Sequence, residues 1–122
     1  MKLHASGPSG VNTITGYGED YVMVNRERRA SSLVVLPDRV EQWGTRQFDS
    51  LTEKDFVFLK NLGAEIVLLG TGARQRFPHP RLTAALTQAG IGLEVMDLQA
   101  ACRTYNILVA EERKVAAALL FE

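Results

Sequence analysis

Ile66 to Leu69 form an unbroken aliphatic run, and this run constrains the fold more than any other feature of the sequence. A strand that is apolar at every position is typical of a parallel sheet covered by helices on both faces. Apolar residues recur at helical spacing from Pro80 to about Ala89 and from Asp97 to about Ala110, each time followed by another apolar run. The order strand, helix, strand, helix, strand from Ile66 to Phe121 predicts right-handed crossovers and a parallel core.

The residues before Ile66 predict short strands and one helix. Gly16, Gly18 and Glu19-Asp20 provide turn chemistry between the first two strands, which we expect to form a hairpin. Thr52 stands at an N-cap position with Asp55 three residues later, so a helix begins there and ends at Gly63. Asn25 to Arg29 is interpreted as a polar interruption. The predicted strands are 11–15, 21–24, 32–36, 39–43, 66–69, 91–96 and 115–121, and the helices are 53–62, 80–89 and 97–110.

The length of 122 residues corresponds to one domain. We therefore expect a single globular α/β domain spanning residues 1–122. It is predicted to have three layers, with a mostly parallel central sheet and β-hairpins from the N-terminal half beside it.

The composition excludes several classes of function. Fourteen basic and fourteen acidic residues give a net charge of zero, so no global field attracts nucleic acid or an anionic membrane. One cysteine and two histidines do not provide the ligand spacing of a zinc site, and we predict neither metal nor cofactor. The longest apolar run, Val115 to Phe121, is far shorter than the roughly 20 residues of a membrane helix. We expect a soluble, cytoplasmic protein.

Gly70-Thr71-Gly72 is the first candidate for a binding site, because α/β sheets place ligand loops at the carboxyl ends of their strands. The segment lacks the third glycine of a dinucleotide fingerprint, and no Gly-Lys-Ser/Thr follows it. Two interpretations stay open with equal weight. The glycines either permit a tight turn or present N–H groups to an anion.

Arg74, Arg76 and Phe77 follow in the same loop, and Arg81 begins the next helix, whose N-terminus carries partial positive charge. Together they could form an anion site, or the arginines could simply be solvated. His79 lies between two prolines with no nearby histidine or carboxylate, so we treat it as a surface loop residue.

Arg103-Thr104-Tyr105-Asn106 is the most polar segment on any predicted helix. Helix propensity does not favour Thr or Asn in a helix interior, so we expect these side chains to bond neighbouring loops, including Gly70 to Gly72. Cys102 lies on the apolar stripe of the same helix and is expected to be buried and inert. No residue is assigned a catalytic role.

Several segments read together resemble one family of uncharacterised domains, which includes mitochondrial complex I assembly factor 3. The resemblance is most specific in Arg103 to Leu108 combined with the Gly-Thr-Gly loop. It implies a three-layer β+α/β domain with a mixed central sheet in which one central strand is antiparallel. It also implies a bacterial, cytosolic member, since the start has no Arg-rich amphipathic presequence. The matching segments are Leu68 to Gly72, Phe77-Pro78, Gly90-Ile91, Glu94 to Met96, Ala101 to Leu108, and Glu111 to Leu120.

Three functions are compatible with these features. The first is a non-catalytic binding or assembly module, linked through the resemblance to complex I, with a groove for a protein segment or a small anion between the Gly-Thr-Gly loop and Arg103 to Leu108. The second is a small enzyme in which that loop holds an anion, Arg103 pairs with it, and Tyr105 or Cys102 does proton or covalent work. The third is a homo-oligomer formed through the strands that contain Tyr21 and Trp43. We rank the binding module first.

Overall fold

The computed structural model describes residues 10–44 and 47–122, which form eight strands and three α-helices. A 3₁₀ turn at Phe48–Ser50 precedes the first α-helix. The strands are β1 (Ile14–Tyr17), β2 (Val22–Val24), β3 (Glu27–Arg29), β4 (Leu33–Leu36), β5 (Arg39–Gln42), β6 (Ile66–Thr71), β7 (Gly92–Met96) and β8 (Val115–Leu120), and the helices are α1 (Glu53–Lys60), α2 (Pro80–Gln88) and α3 (Leu98–Ala110).

A five-stranded mixed sheet, in the order β5-β4-β8-β6-β7, forms the centre of the fold. β6 pairs in parallel with both β7 and β8, which confirms the parallel core predicted from alternating strands and helices. β4 pairs antiparallel with β8, as the family resemblance implied.

Two apolar cores lie on opposite faces of this sheet, because successive side chains of a strand point to opposite sides. Leu33 and Val35 of β4 enter the core that contains α3, β1 and β2. Val34 and Leu36 enter the core that contains α1 and α2. The three layers are therefore α1 with α2, the five-stranded sheet, and α3 with the small sheet β1-β2-β3.

The helices begin at the predicted residues. The Asp55 carboxylate accepts the Thr52 N–H at 2.8 Å, which caps α1. The Asp97 carboxylate accepts the Ala100 N–H at 2.8 Å, which caps α3. His79, predicted as a plain loop residue, caps α2, because its Nδ1 accepts the Arg81 N–H at 3.1 Å.

The N-terminal half departs from the prediction at its first, third and fifth strands: β1 covers Ile14–Tyr17 rather than 11–15, and β5 ends one residue before Trp43. Gly16 lies inside β1 rather than in the turn, which is closed by the Gly18 N–H donating to the Tyr21 carbonyl at 2.9 Å. The interpretation of residues 25–29 as an interruption was wrong, since Glu27–Arg29 pairs antiparallel with β2. β3 is an edge strand whose side chains are largely exposed, so its sequence has no apolar alternation to reveal it.

Candidate functional site

The Gly-Thr-Gly segment lies at the carboxyl end of β6, packed tightly between α3 and Glu122. Gly70 lies against α3, and a Cβ there would approach the Ala101 Cβ to 3.0 Å. Gly72 has a φ of +87°, and a Cβ there would lie 2.5 Å from the Glu122 carbonyl oxygen. Packing therefore favours glycine at position 70, and both packing and backbone conformation require it at position 72.

The Thr71 side chain closes the loop from inside. Its hydroxyl donates to the Arg74 carbonyl at 2.7 Å and accepts the Arg76 N–H at 3.0 Å. The Ala73 N–H donates to the Glu122 carbonyl at 2.7 Å. Since Thr71 is buried and these groups bond one another, the geometry supports the turn interpretation. The anion-binding interpretation stays a prediction.

Arg76 joins three parts of the chain. Its guanidinium pairs with Asp49 at 2.8 Å and with Glu122 at 3.2 Å, and it lies 4.4 Å from the centre of the Phe48 ring. Arg74, in contrast, is exposed, and Phe77 is 69% exposed. Of the three predicted loop residues, only Arg74 and Phe77 present their side chains to solvent.

The polar segment of α3 binds β1 and the residues before it. The Asn106 side chain accepts the Ile14 N–H at 2.9 Å and donates to the Ile14 carbonyl at 2.7 Å, as a neighbouring strand would. The Tyr105 hydroxyl donates to the Asn12 carbonyl at 2.9 Å, and Arg103 donates to the Tyr17 hydroxyl at 3.2 Å. Thr104 is half-buried on the same helix.

The expected contact between this segment and the Gly-Thr-Gly loop does not form in the described residues. The loop meets the first turn of α3 instead, where the Leu98 N–H donates to the Gly72 carbonyl at 2.8 Å. Because Arg103 to Asn106 begin more than one turn later, their side chains reach β1 and not the loop. The predicted residues therefore fall into two separate groups, and their roles in binding stay predictions.

Cys102 and Tyr105 are the two groups with strongly altered acidity. Both are completely buried. Burial raises the pKa of the Cys102 thiol to about 12, partly offset by the nearby Arg103 charge. Burial also raises the pKa of Tyr105 well above its usual range. The burial of Cys102 is therefore confirmed, and both groups keep their protons near pH 7. The inertness of the cysteine stays a prediction.

A cleft of about 500 Å³, which the sequence did not reveal, lies at the opposite end of the five-stranded sheet. It is formed by the β4–β5 turn, the α1–β6 loop and the α3–β8 turn, with Val11 beside them. These segments are far apart in the sequence and contain no motif. Of these segments, the charged run Glu111 to Lys114 was recognisable in the sequence, but only as the connection between the last helix and the last strand.

The fold and its loops define a three-layer α/β domain with a mixed central sheet. A family model described as "Protein of unknown function (DUF498/DUF598)" matches residues 14–120. The chain belongs to this family.

The chain is also similar to proteins named NADH dehydrogenase [ubiquinone] 1 alpha subcomplex assembly factor 3. The Bos taurus protein is 36% identical over 109 residues, which are 88% of this chain and 59% of the relative. The Mus musculus protein is 39% identical over 89 residues, which are 71% of this chain and 48% of the relative. The chain thus spans less than two thirds of the length of these relatives.

Solved bacterial structures share the fold along nearly the whole chain. A crystal structure from Bordetella parapertussis has a TM-score of 0.88 and 38% identity, and covers 94% of this chain and 100% of its own. A solution structure from Bordetella pertussis, described as a Mth938-like domain, has a TM-score of 0.83 and 33% identity, and covers 99% of this chain and 92% of its own. None of the helices in residues 10–44 and 47–122 has the length and apolar character that a bilayer crossing requires.

Proposed function

We propose that this protein is a non-catalytic, protein-binding module that assists the assembly of a multisubunit complex, with respiratory complex I as the candidate. The observation that carries the proposal is its similarity to proteins named as NADH dehydrogenase assembly factors, at 36% and 39% identity in the two cases above. The cytoplasmic location of the protein also stays a prediction.

The chemistry of α3 supports binding rather than catalysis. The enzyme alternative needs Arg103 to hold an anion and Tyr105 or Cys102 to move a proton or attack a substrate. Arg103 and Tyr105 instead hydrogen-bond the chain at Tyr17 and Asn12. Cys102 is buried, and its pKa of about 12 leaves almost no thiolate near pH 7.

The loop of residues 73–79, which we call the Phe77 loop, is the surface that we propose for a partner. Phe77 and Arg74 project from it into solvent, and exposed aromatic and arginine side chains are enriched in protein interfaces. The loop is held firmly by Thr71 and Arg76, and by the Gln75 amide donating to the Val95 carbonyl at 2.8 Å. A fixed loop loses little conformational entropy on binding, which favours affinity.

A chimera tests the proposal directly. The matched segment of the Bos taurus relative is replaced by the corresponding residues of this chain, and the chimera is expressed in bovine cells that lack the relative. We expect restored levels of assembled NADH dehydrogenase on native gels. A chimera that accumulates, folds cooperatively and restores no assembled complex would contradict the proposed function.

Two alanine variants of the chimera test the Phe77 loop. We expect Phe77→Ala to reduce restoration severalfold, because aromatic side chains at interfaces contribute more than most contacts. Val57→Ala is the matched control, since Val57 is also apolar and is 41% exposed, but lies on α1 outside the loop. Equal effects of the two substitutions would remove the Phe77 loop from the proposal while leaving the assembly role in place.

A further inference from the structure

We propose that the cleft at the end of the sheet opposite the Gly-Thr-Gly loop binds a small amphipathic anion, an apolar chain with a single carboxylate. The cleft shares no residue with the Phe77 loop. The proposal goes beyond the assembly role and does not depend on it.

The walls of the cleft are mostly apolar. Three segments meet there because β4 runs antiparallel to β8, so the carboxyl end of β4 adjoins the amino ends of β6 and β8. Ligand sites for small molecules combine such apolar walls with a few polar groups, and their volumes run from about 300 to 1,000 Å³. The apolar lining residues include Val11, Leu36, Leu62, Ala64, Val109 and Val115.

Hydrogen bonds fix the distance between the walls. The Arg39 guanidinium donates to the Leu62 carbonyl at 2.8 Å, which ties the β4–β5 turn to the α1–β6 loop. The Asn12 N–H donates to the Pro37 carbonyl at 2.8 Å, which holds the neighbouring Val11 against the same turn. The cleft is therefore formed before any ligand arrives, and binding requires little reorganisation.

The charges at the rim favour an anion. Arg39 is already engaged by two carboxylates, Asp38 at 3.0 Å and Glu41 at 3.5 Å, so it is not available to a ligand. Arg113 and Lys114 also line the cleft, and neither forms an ion pair within residues 10–44 and 47–122. Two cations next to each other attract a carboxylate and donate hydrogen bonds to it.

Glu112 limits the ligand to a single negative charge. It is exposed, lines the same rim and forms no ion pair in the described chain, so the unpaired rim charges are two positive and one negative. Its φ of +61° turns the chain after α3, and the Arg113 N–H then donates to the Leu108 carbonyl at 2.9 Å. This turn carries Arg113 and Lys114 to the cleft.

The experiment is a titration of the isotope-labelled protein with octanoate, followed by the amide NMR signals. We expect saturable shifts in the amides of residues 38–39, 62–64 and 112–115, and none in the Gly-Thr-Gly loop. Acetate carries the same head without the chain, and octylammonium carries the chain with the opposite charge. At the concentrations at which octanoate saturates the cleft, we expect no saturable binding of acetate or of octylammonium.

A double substitution tests the two cations. We expect Arg113→Gln with Lys114→Gln to weaken octanoate binding on the order of tenfold or more, because charge-assisted hydrogen bonds are lost. Lys54→Gln with Arg26→Gln removes the same charge from exposed positions outside the cleft and should leave the affinity unchanged. Absence of saturable octanoate binding, equal binding of octylammonium, or equal weakening by both double variants would each overturn the proposal.

Discussion

Cys102 is the residue whose chemistry depends most on its surroundings. On an exposed chain its thiol has an ordinary pKa of 9.0, but burial against the central sheet raises the pKa to about 12. The folded state therefore keeps a proton that the unfolded chain releases above about pH 9.

This difference predicts a loss of stability in alkaline solution. The contribution of Cys102 is fully present below the unfolded pKa of 9.0 and disappears as the pH rises towards the folded value of about 12. We expect the free energy of unfolding to fall by about 1.4 kcal/mol more in the natural chain than in Cys102→Ala between about pH 8 and pH 10. Urea unfolding of both proteins at the two pH values measures this difference in free energy. Equal changes in the natural chain and in Cys102→Ala would contradict the prediction.

Glu112 provides a second prediction at the residue scale. Its φ of +61° is a conformation that glycine adopts without strain, and Gly90 occupies the equivalent position after α2 with a φ of +73°. We expect Glu112→Gly to raise the free energy of unfolding by about 0.5–1 kcal/mol. Glu111→Gly, at a φ of −87°, should lower it by a similar amount, and thermal melts distinguish the two. Destabilisation by both would contradict the prediction.

At the scale of elements, the contact between β6 and α3 depends on Gly70. A methyl group there would lie 3.0 Å from the Ala101 Cβ and 3.1 Å from the Leu119 side chain. We expect Gly70→Ala to lower the free energy of unfolding by about 1–3 kcal/mol through overpacking. Gly92→Ala in the neighbouring strand is the control, because its nearest contact would be 3.8 Å away.

A double-mutant cycle identifies the cause. Ala101→Gly removes the methyl group that opposes Gly70, so the two substitutions together should be at least about 0.5 kcal/mol more stable than their separate effects predict. Chemical denaturation of the four proteins gives this coupling. Strict additivity would show that the loss arises elsewhere than between β6 and α3.

Elements with strong local signals were predictable. The unbroken apolar run located β6, and the caps at Thr52 and Asp97 located the starts of α1 and α3. β3 was missed because its stability comes from backbone pairing with β2, which leaves no pattern in its exposed side chains. Trp43 was predicted to point inward and does, since it packs edge-on against Phe56. Trp43 is therefore not exposed at the surface, where it could contact a second copy of the chain. The homo-oligomer itself stays a prediction.

At the scale of the whole molecule, the small sheet is tied to α3 by polar side chains in addition to the apolar core that the two share. Asn106 satisfies both backbone groups of Ile14, which is completely buried. We expect Asn106→Ala to lower the free energy of unfolding by about 2–3 kcal/mol, because two buried groups lose their partners. Gln99→Ala removes an exposed amide from the same helix and should change little.

Hydrogen exchange tests how this loss is distributed. We expect Asn106→Ala to reduce protection of the amides in β1 and β2 more than in β6 and β8, since the central sheet keeps its own pairing. An equal loss of amide protection in both sheets would indicate that the whole molecule opens as one unit. Asn106 would then not connect two sheets that can open separately.

The sequence by itself determined which segments become helices and central strands, because periodicity, caps and breakers act over a few neighbouring residues. It also determined that Cys102 is buried, since the apolar stripe of α3 includes it. Only the tertiary structure decided where polar side chains find partners. Arg103 and Asn106 reach β1 rather than the Gly-Thr-Gly loop, and three distant turns close around one cleft. Such contacts depend on how the layers are stacked and on their register, which no local pattern encodes.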